Sequence, residues 1–156
     1  MIYELETLSK ENQELMLKAP AFIAVLIAGA DNNIDPQEVH RAVELVNVKT
    51  FSEKQDLQTY YHEVEKTIAR DINSIIDTLP KTAEERNPII SAELAKLNPA
   101  LAKVKAKFAH DLYISWKGYA GSIARAWGGI MGINSVNRHE EKWVNLPMIN
   151  EPAQAQ

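Results

Sequence analysis

Three carboxylates lie within eight residues of one another in this chain, at Asp31, Asp35 and Glu38. Acids clustered in this way repel each other unless a cation or a proton joins them. Carboxylate oxygens favour Ca²⁺, Mg²⁺ or Mn²⁺, and a histidine added to them, such as His139, shifts the preference toward Zn²⁺. The segment is therefore the first candidate in the chain for cation binding.

The same residues also have the spacing of a helix start, which gives the acids a purely structural alternative. Asp35 suits the N-cap position, Pro36 suits the first helical position, and Glu38 follows the cap by three residues, as in a capping box. Such a cap stabilises a helix by about 1 kcal/mol without any metal. Asp31 is explained less well in this way, because an acid at the end of a helix faces the negative end of its dipole.

Other reactive groups do not form a recognisable site. The chain has no cysteine, which excludes disulfides, thiolate nucleophiles and Cys-based metal sites. No serine or threonine lies in a nucleophile elbow, and no two of the four histidines have the spacing of a zinc-binding helix. We therefore interpret the chain as a non-catalytic protein, with a divalent-metal-dependent hydrolase using the same acids as an alternative.

The composition indicates a soluble, cytoplasmic domain. Its 156 residues can form a single core, and the mild net charge of −4 disfavours nucleic-acid binding, which needs a basic surface. The N-terminal sequence is acidic and polar, unlike a secretory signal peptide. The most apolar run, 19–30, is about half of the ~20 residues that a membrane span needs, so no direct span is predicted.

An all-α fold is predicted, because apolar residues recur every three or four positions while strand alternation and hairpin turns are missing. The apolar helix that ends near Ala30 is hydrophobic on every side and should lie at the centre of the fold. Capping residues and prolines mark the helix ends. They predict helices over 9–18, 20–30, 36–48 and 52–79, further helix starts at Thr82 and Asn98, and a helix end at Gly128 and Gly129.

A short pattern in the first half of the chain recurs in the second half. The segment 34–38, IDPQE, is matched by 136–140, VNRHE, since both place an apolar residue before an Asx cap and a Glu at the third helical position. This repeated pattern predicts two helix–corner–helix units related by a pseudo-twofold axis. In that arrangement the two corners would bring Glu38 and Glu140 to face each other.

The first corner resembles the tellurite-resistance TerB family and its TerB-like relatives. Their pattern, A-x-A-D-G-x-I-x-x-x-E, reads AGADNNIDPQE over residues 28–38, with Asn32 in place of the usual glycine. The resemblance implies an all-helical domain of about seven helices and a membrane-linked response to tellurite or other stress. It also implies a metal site, which on this chain would consist of Asp31, Asp35 and Glu38, with Glu140 and Glu141 from the second unit.

Together these features predict a compact TerB-like bundle over residues 1–147 and a flexible tail over 148–156. The predicted function is a non-catalytic stress-associated module that holds a divalent metal ion of unknown identity. The ion would lie at the segment of Asp31, Asp35 and Glu38, which we call the acidic corner. It would act through a protein partner, with a membrane association, and would bind no nucleic acid. A helical interaction or scaffold domain whose acids only cap helices is the alternative, and the oligomeric state stays open.

Overall fold

The computed structural model describes residues 2–29, 34–131 and 142–153. This part of the chain forms seven α-helices and one short 3-10 turn and contains no strand, which confirms the all-α prediction. The elements are the 3-10 turn Tyr3–Leu5, α1 Lys10–Ala28, α2 Pro36–Ser52, α3 Gln55–Glu65, α4 Ile68–Thr78, α5 Ala83–Ala95, α6 Leu97–Lys103 and α7 Ala106–Met131.

The first long helix, α1, lies at the centre of the bundle and contacts each of the other six helices. Its residues from Ala19 to Ala28 are all buried, on every side of the helix. This central position confirms what its continuous apolar sequence predicts. No helix in the described ranges combines the length and the apolar character needed to cross a membrane.

Helix α1 is continuous through Pro20, although the sequence predicts two helices that meet there. A proline inside a helix leaves the carbonyl four residues earlier without its N–H donor. Here that carbonyl belongs to Met16, and the buried hydroxyl of Tyr60 donates to it at 2.6 Å. Trp116 Nε1 in turn donates to the Tyr60 hydroxyl at 3.1 Å. Tyr60 of α3 therefore supplies the bond that Pro20 removes, and Trp116 of α7 donates in turn to the Tyr60 hydroxyl.

Other predicted boundaries are also wrong. The single helix expected over 52–79 is two helices, because Thr67 has φ −129° and ψ −7°, outside the helical region. The break lets α3 pack mainly on α2 and α4 mainly on α1. Helix α2 continues to Ser52, and α7 continues past Gly128 and Gly129 to Met131.

Residues 142–153 form turns and return to the core. Leu146 and Ile149 are buried, and the backbone of Met148 and Asn150 is hydrogen-bonded to Asn98 of α6. The packed domain therefore includes Ile149, two residues beyond the boundary at 147 that the sequence indicates.

Candidate functional site

The acidic corner lies between the end of α1 and the start of α2. Asp35 is the N-cap of α2, and its Oδ1 accepts a hydrogen bond from the backbone N–H of Glu38 at 2.9 Å. Pro36 occupies the first helical position, where its missing N–H costs nothing. The capping function that the spacing predicts for Asp35 is therefore present.

Two of the five predicted metal ligands lie in the described part of the chain, namely Asp35 and Glu38. Both lie at the start of α2, Asp35 as the N-cap and Glu38 in the first turn. Asp31, Glu140 and Glu141 lie outside the described residues, so the approach of the two corners stays a prediction. Within the described ranges, no group of three or more His, Asp or Glu side chains is placed to hold a metal ion.

A small cavity lies beside Glu38, between α1, α2 and α4. Its volume is about 10 Å³, which is near the lower limit for holding a single water molecule. Apart from Glu38 its walls are apolar, and they are formed by Ala24, Val25, Ala28, Ile34, Val39, Ala42 and Ile72. No organic substrate fits into this space.

A buried arginine, Arg86 of α5, brings a positive charge to the corner. Its Nη2 donates to the carbonyl of Gly29, the residue that ends α1, and its Nη1 donates to the carbonyl of Lys81 at 3.1 Å. A cation is favourable there because the carboxyl end of a helix carries partial negative charge. Glycine permits this close packing at position 29, since a Cβ would lie 2.6 Å from Ile34 Cδ1.

Arg86 lies 57 positions from Gly29 in the sequence, so no local pattern indicates that the two residues meet. The sequence therefore predicts a corner of acids alone. The structure places a fixed cation beside it.

A second polar group, which we call the Ser115 cluster, joins α2, α3 and α7. It consists of Lys49, Glu53, Tyr61 and Ser115. Ser115 Oγ donates to Glu53 Oε1 at 2.9 Å, and Lys49 Nζ lies 2.8 Å from the same carboxylate oxygen. The Tyr61 hydroxyl is 2.6 Å from Ser115 Oγ and is the donor, because the one Ser115 proton points to Glu53.

The residue types of the Ser115 cluster suit nucleophilic catalysis, since a lysine or a carboxylate beside a serine can activate it. The geometry does not provide a reacting position. Ser115 is only 5% exposed, and its hydroxyl already contacts Glu53, Tyr61 and Lys49, the last at 3.4 Å. Burial also raises the pKa of the Tyr61 phenol well above its ordinary value, which keeps it protonated as a donor. The cluster holds three helices together.

The outer face of α2 presents two large apolar side chains to solvent. Phe51 is 71% exposed and Val48 is 46% exposed. Residues three apart lie on the same side of a helix, so the two side chains are neighbours. We call this pair the Phe51 face. The sequence does not indicate this face, because the helix that it predicts ends at Val48.

Two described histidines form local pairs on helix surfaces. His40 Nε2 lies 2.8 Å from Glu44, and His62 Nδ1 lies 3.2 Å from Glu65. Both pairs are i,i+4 or i,i+3 contacts with exposed imidazoles, and they explain these histidines without a metal.

Comparisons with protein-family models, with curated proteins and with solved structures find no significant match to this chain.

Proposed function

We propose that this chain is a non-catalytic, TerB-like helical module that acts by binding a protein partner through the Phe51 face. The observation that carries the proposal is the exposure of Phe51 and Val48 side by side on α2. Burying a fully exposed side chain of this kind contributes roughly 1.5–3 kcal/mol, and covering the exposed parts of these two contributes a share of that. An apolar surface of another protein, such as one side of an amphipathic helix, is the partner chemistry that fits.

The non-catalytic part of the proposal is supported by the two polar groups described above. At the acidic corner Asp35 is engaged as a helix cap, and the adjoining cavity has room for about one water molecule. In the Ser115 cluster the serine hydroxyl is enclosed by its three neighbours. Neither group offers a substrate a position next to a reactive atom.

The resemblance to the TerB family supplies the physiological context of the proposal. It points to a membrane-linked response to tellurite or other stress, and the composition of the chain favours a cytoplasmic location. The divalent cation implied by the resemblance stays a separate prediction. Binding at the Phe51 face does not require it, because α2 is already capped by Asp35 and Arg86 already brings a positive charge to the end of α1.

A photo-crosslinking amino acid at position 51 tests the proposal in the cells that make this protein. The matched control carries the same probe at Tyr3, which is 67% exposed and belongs to the 3-10 turn and not to α2. We expect a discrete adduct from position 51 only, and its loss when Val48→Glu is added to that chain. The same adducts from both positions, or an adduct that tolerates Val48→Glu, would contradict the proposed surface.

The partner identified in that adduct is then titrated against purified variants. Phe51→Ser should weaken binding at least about tenfold, which is about 1.4 kcal/mol. The neighbouring Ser52→Ala should leave the affinity unchanged, because Ser52 offers no apolar surface. Equal affinity of the wild type and Phe51→Ser would show that the partner does not bind the Phe51 face.

A further inference from the structure

The C-terminal segment, residues 142–153, is held in place without a helix or a strand of its own. Two of its side chains lie in the core, Leu146 with 0% exposure and Ile149 with 3%. Its own backbone bonds are local turns, from Leu146 N–H to the Trp143 carbonyl and from Ile149 N–H to the Leu146 carbonyl. Side chains and contacts with the helices therefore decide where it lies.

One side chain of α6 binds the backbone of this segment on both sides of Ile149. Asn98 Nδ2 donates to the Met148 carbonyl at 3.0 Å, and Asn98 Oδ1 accepts from the Asn150 N–H at 2.8 Å. The carboxamide thus pairs with the chain as a neighbouring peptide group would. Proteins that bind extended peptides use such main-chain bonds for affinity and apolar pockets for specificity.

The apolar part of the contact has a defined spacing. Leu146 and Ile149 are three residues apart, and both side chains are part of the buried core of the domain. Pro147 and Asn150 are exposed to solvent. The segment therefore buries two apolar side chains three positions apart and leaves the residue after each of them exposed.

The backbone at Leu146 shows that the segment is shaped by its contacts. Leu146 has φ 49°, in the left-handed region that non-glycine residues avoid. Such a conformation persists only when the surroundings impose it, and here the surroundings enclose the Leu146 side chain completely. The segment is bound by the helices more than it is folded by its own sequence.

We propose that the α6 surface around Asn98 is a peptide-docking site, filled in this structure by residues 146–150 of the same chain, and that it accepts the same segment from a second copy. The contacts are fully specified by residues that every copy carries, so exchange of the segment preserves all of them. This inference is independent of the Phe51 face, which lies on a different helix.

The test uses a fluorescent peptide of residues 142–153 and the full-length chain carrying Ile149→Ser. That substitution weakens the chain's own segment and opens the site. In the wild type the attached segment has an effective concentration on the order of millimolar, as for other short tethers, and keeps micromolar peptide out. We expect saturable binding to Ile149→Ser, at least about tenfold tighter than to the wild type, measured by fluorescence anisotropy.

Matched variants identify the contact. Adding Asn98→Ala to Ile149→Ser should reduce peptide binding at least about tenfold, whereas adding Asn73→Ala, an exposed asparagine of α4, should leave it unchanged. A peptide that itself carries Ile149→Ser should fail to bind.

A second variant, Asn150→Pro, keeps the test valid if Ile149→Ser misfolds. Asn150→Pro removes the N–H that donates to Asn98 Oδ1 and changes no buried side chain, and circular dichroism checks the fold of both chains. If the peptide binds neither folded variant better than its Ile149→Ser form does, the docking site is disproved. Equal binding with and without Asn98→Ala has the same consequence.

Discussion

The two ends of α2 both carry a carboxylate, and they stabilise it in different ways. At the amino end, Asp35 accepts a hydrogen bond from the helix itself, at the positive end of the dipole. At the carboxyl end, Glu53 faces the negative end of the dipole and relies on Lys49 and on Ser115, which is 62 positions away. Asp35 is stabilised by its own helix alone, whereas Glu53 is stabilised by its own helix and by a residue of α7.

This difference explains which of the two a sequence can reveal. A cap such as Asp35 can be recognised in four consecutive residues, whereas the bond from Ser115 to Glu53 forms only after α7 has packed beside the end of α2. The bond between Tyr60 and the Met16 carbonyl belongs to the second kind, because a distant hydroxyl replaces a local N–H. The following experiments each remove a partner of such a polar group and measure the loss of folding stability.

The largest effect is expected from Tyr60→Phe, which deprives both the Met16 carbonyl and Trp116 Nε1 of a buried partner. Leaving buried polar groups unsatisfied costs about 1–3 kcal/mol each, so a loss of about 3 kcal/mol is expected in urea unfolding. In a Pro20→Ala background the loss should be smaller, because the introduced alanine restores an N–H donor to the Met16 carbonyl. Strictly additive effects of the two substitutions would show that Tyr60 does not compensate for Pro20.

An intermediate effect is expected from Lys49→Met. Lys49 and Glu53 are 15% and 21% exposed, and removing the lysine leaves the carboxylate half-buried beside the end of a helix dipole. We expect a loss of about 1–2 kcal/mol by urea unfolding. The control is Lys66→Met, which breaks an exposed pair with Glu63 and should cost no more than about 0.5 kcal/mol. Equal losses would mean that the Ser115 cluster is an ordinary surface pair.

A small, pH-dependent effect is expected at Asp111, near the same end of α2. Burial by itself would raise the pKa of Asp111, but hydrogen bonds from Lys107 and Lys54 outweigh it and hold the pKa below its ordinary value. The ionised form is therefore favoured by folding. Its contribution is present above the pKa of an unfolded aspartate, about 3.9, and is lost as the pH falls through the lower folded value.

Asp111→Asn should therefore flatten the decline of stability below about pH 5, by less than about 1 kcal/mol, in melts taken across that range. Identical acid profiles for Asp111→Asn and the wild type would show that the two lysines do not stabilise this carboxylate.

Much of the fold follows from local sequence. The caps at Ser9, Asp35 and Thr82 and the central position of α1 are all indicated by residue type and spacing. The break at Thr67 is not, because neither a proline nor a glycine marks it and the two helices separate only by packing on different neighbours. The place of Asn98 before Pro99 predicts a helix start, whereas its side chain binds residues 148–150.

The site was predictable to the same extent. Asp35 and Glu38 could be placed together because they are close in sequence. Arg86 could not be assigned to the corner, and Ser115 could not be assigned to Glu53, because helix packing alone brings each pair together. An exposed aromatic such as Phe51 also has no local signature, since the helix period identifies an outer face only when the helix end is known.

We propose that the Asp35 carboxylate serves at the acidic corner as the cap of α2 and not as a ligand of an ion. The direct test is to melt the wild type and Asp35→Ser with Ca²⁺, Mg²⁺, Mn²⁺ and Zn²⁺, each against sodium chloride of equal ionic strength. Serine keeps the cap but removes the carboxylate.

A bound cation stabilises the folded state by RT ln(1 + [L]/Kd), about 2.7 kcal/mol at a hundredfold excess over Kd. We expect the melting temperatures of the wild type and Asp35→Ser to shift by the same amount with each ion. An ion-specific rise in the melting temperature of the wild type that Asp35→Ser abolishes would contradict it and establish the corner as a cation site.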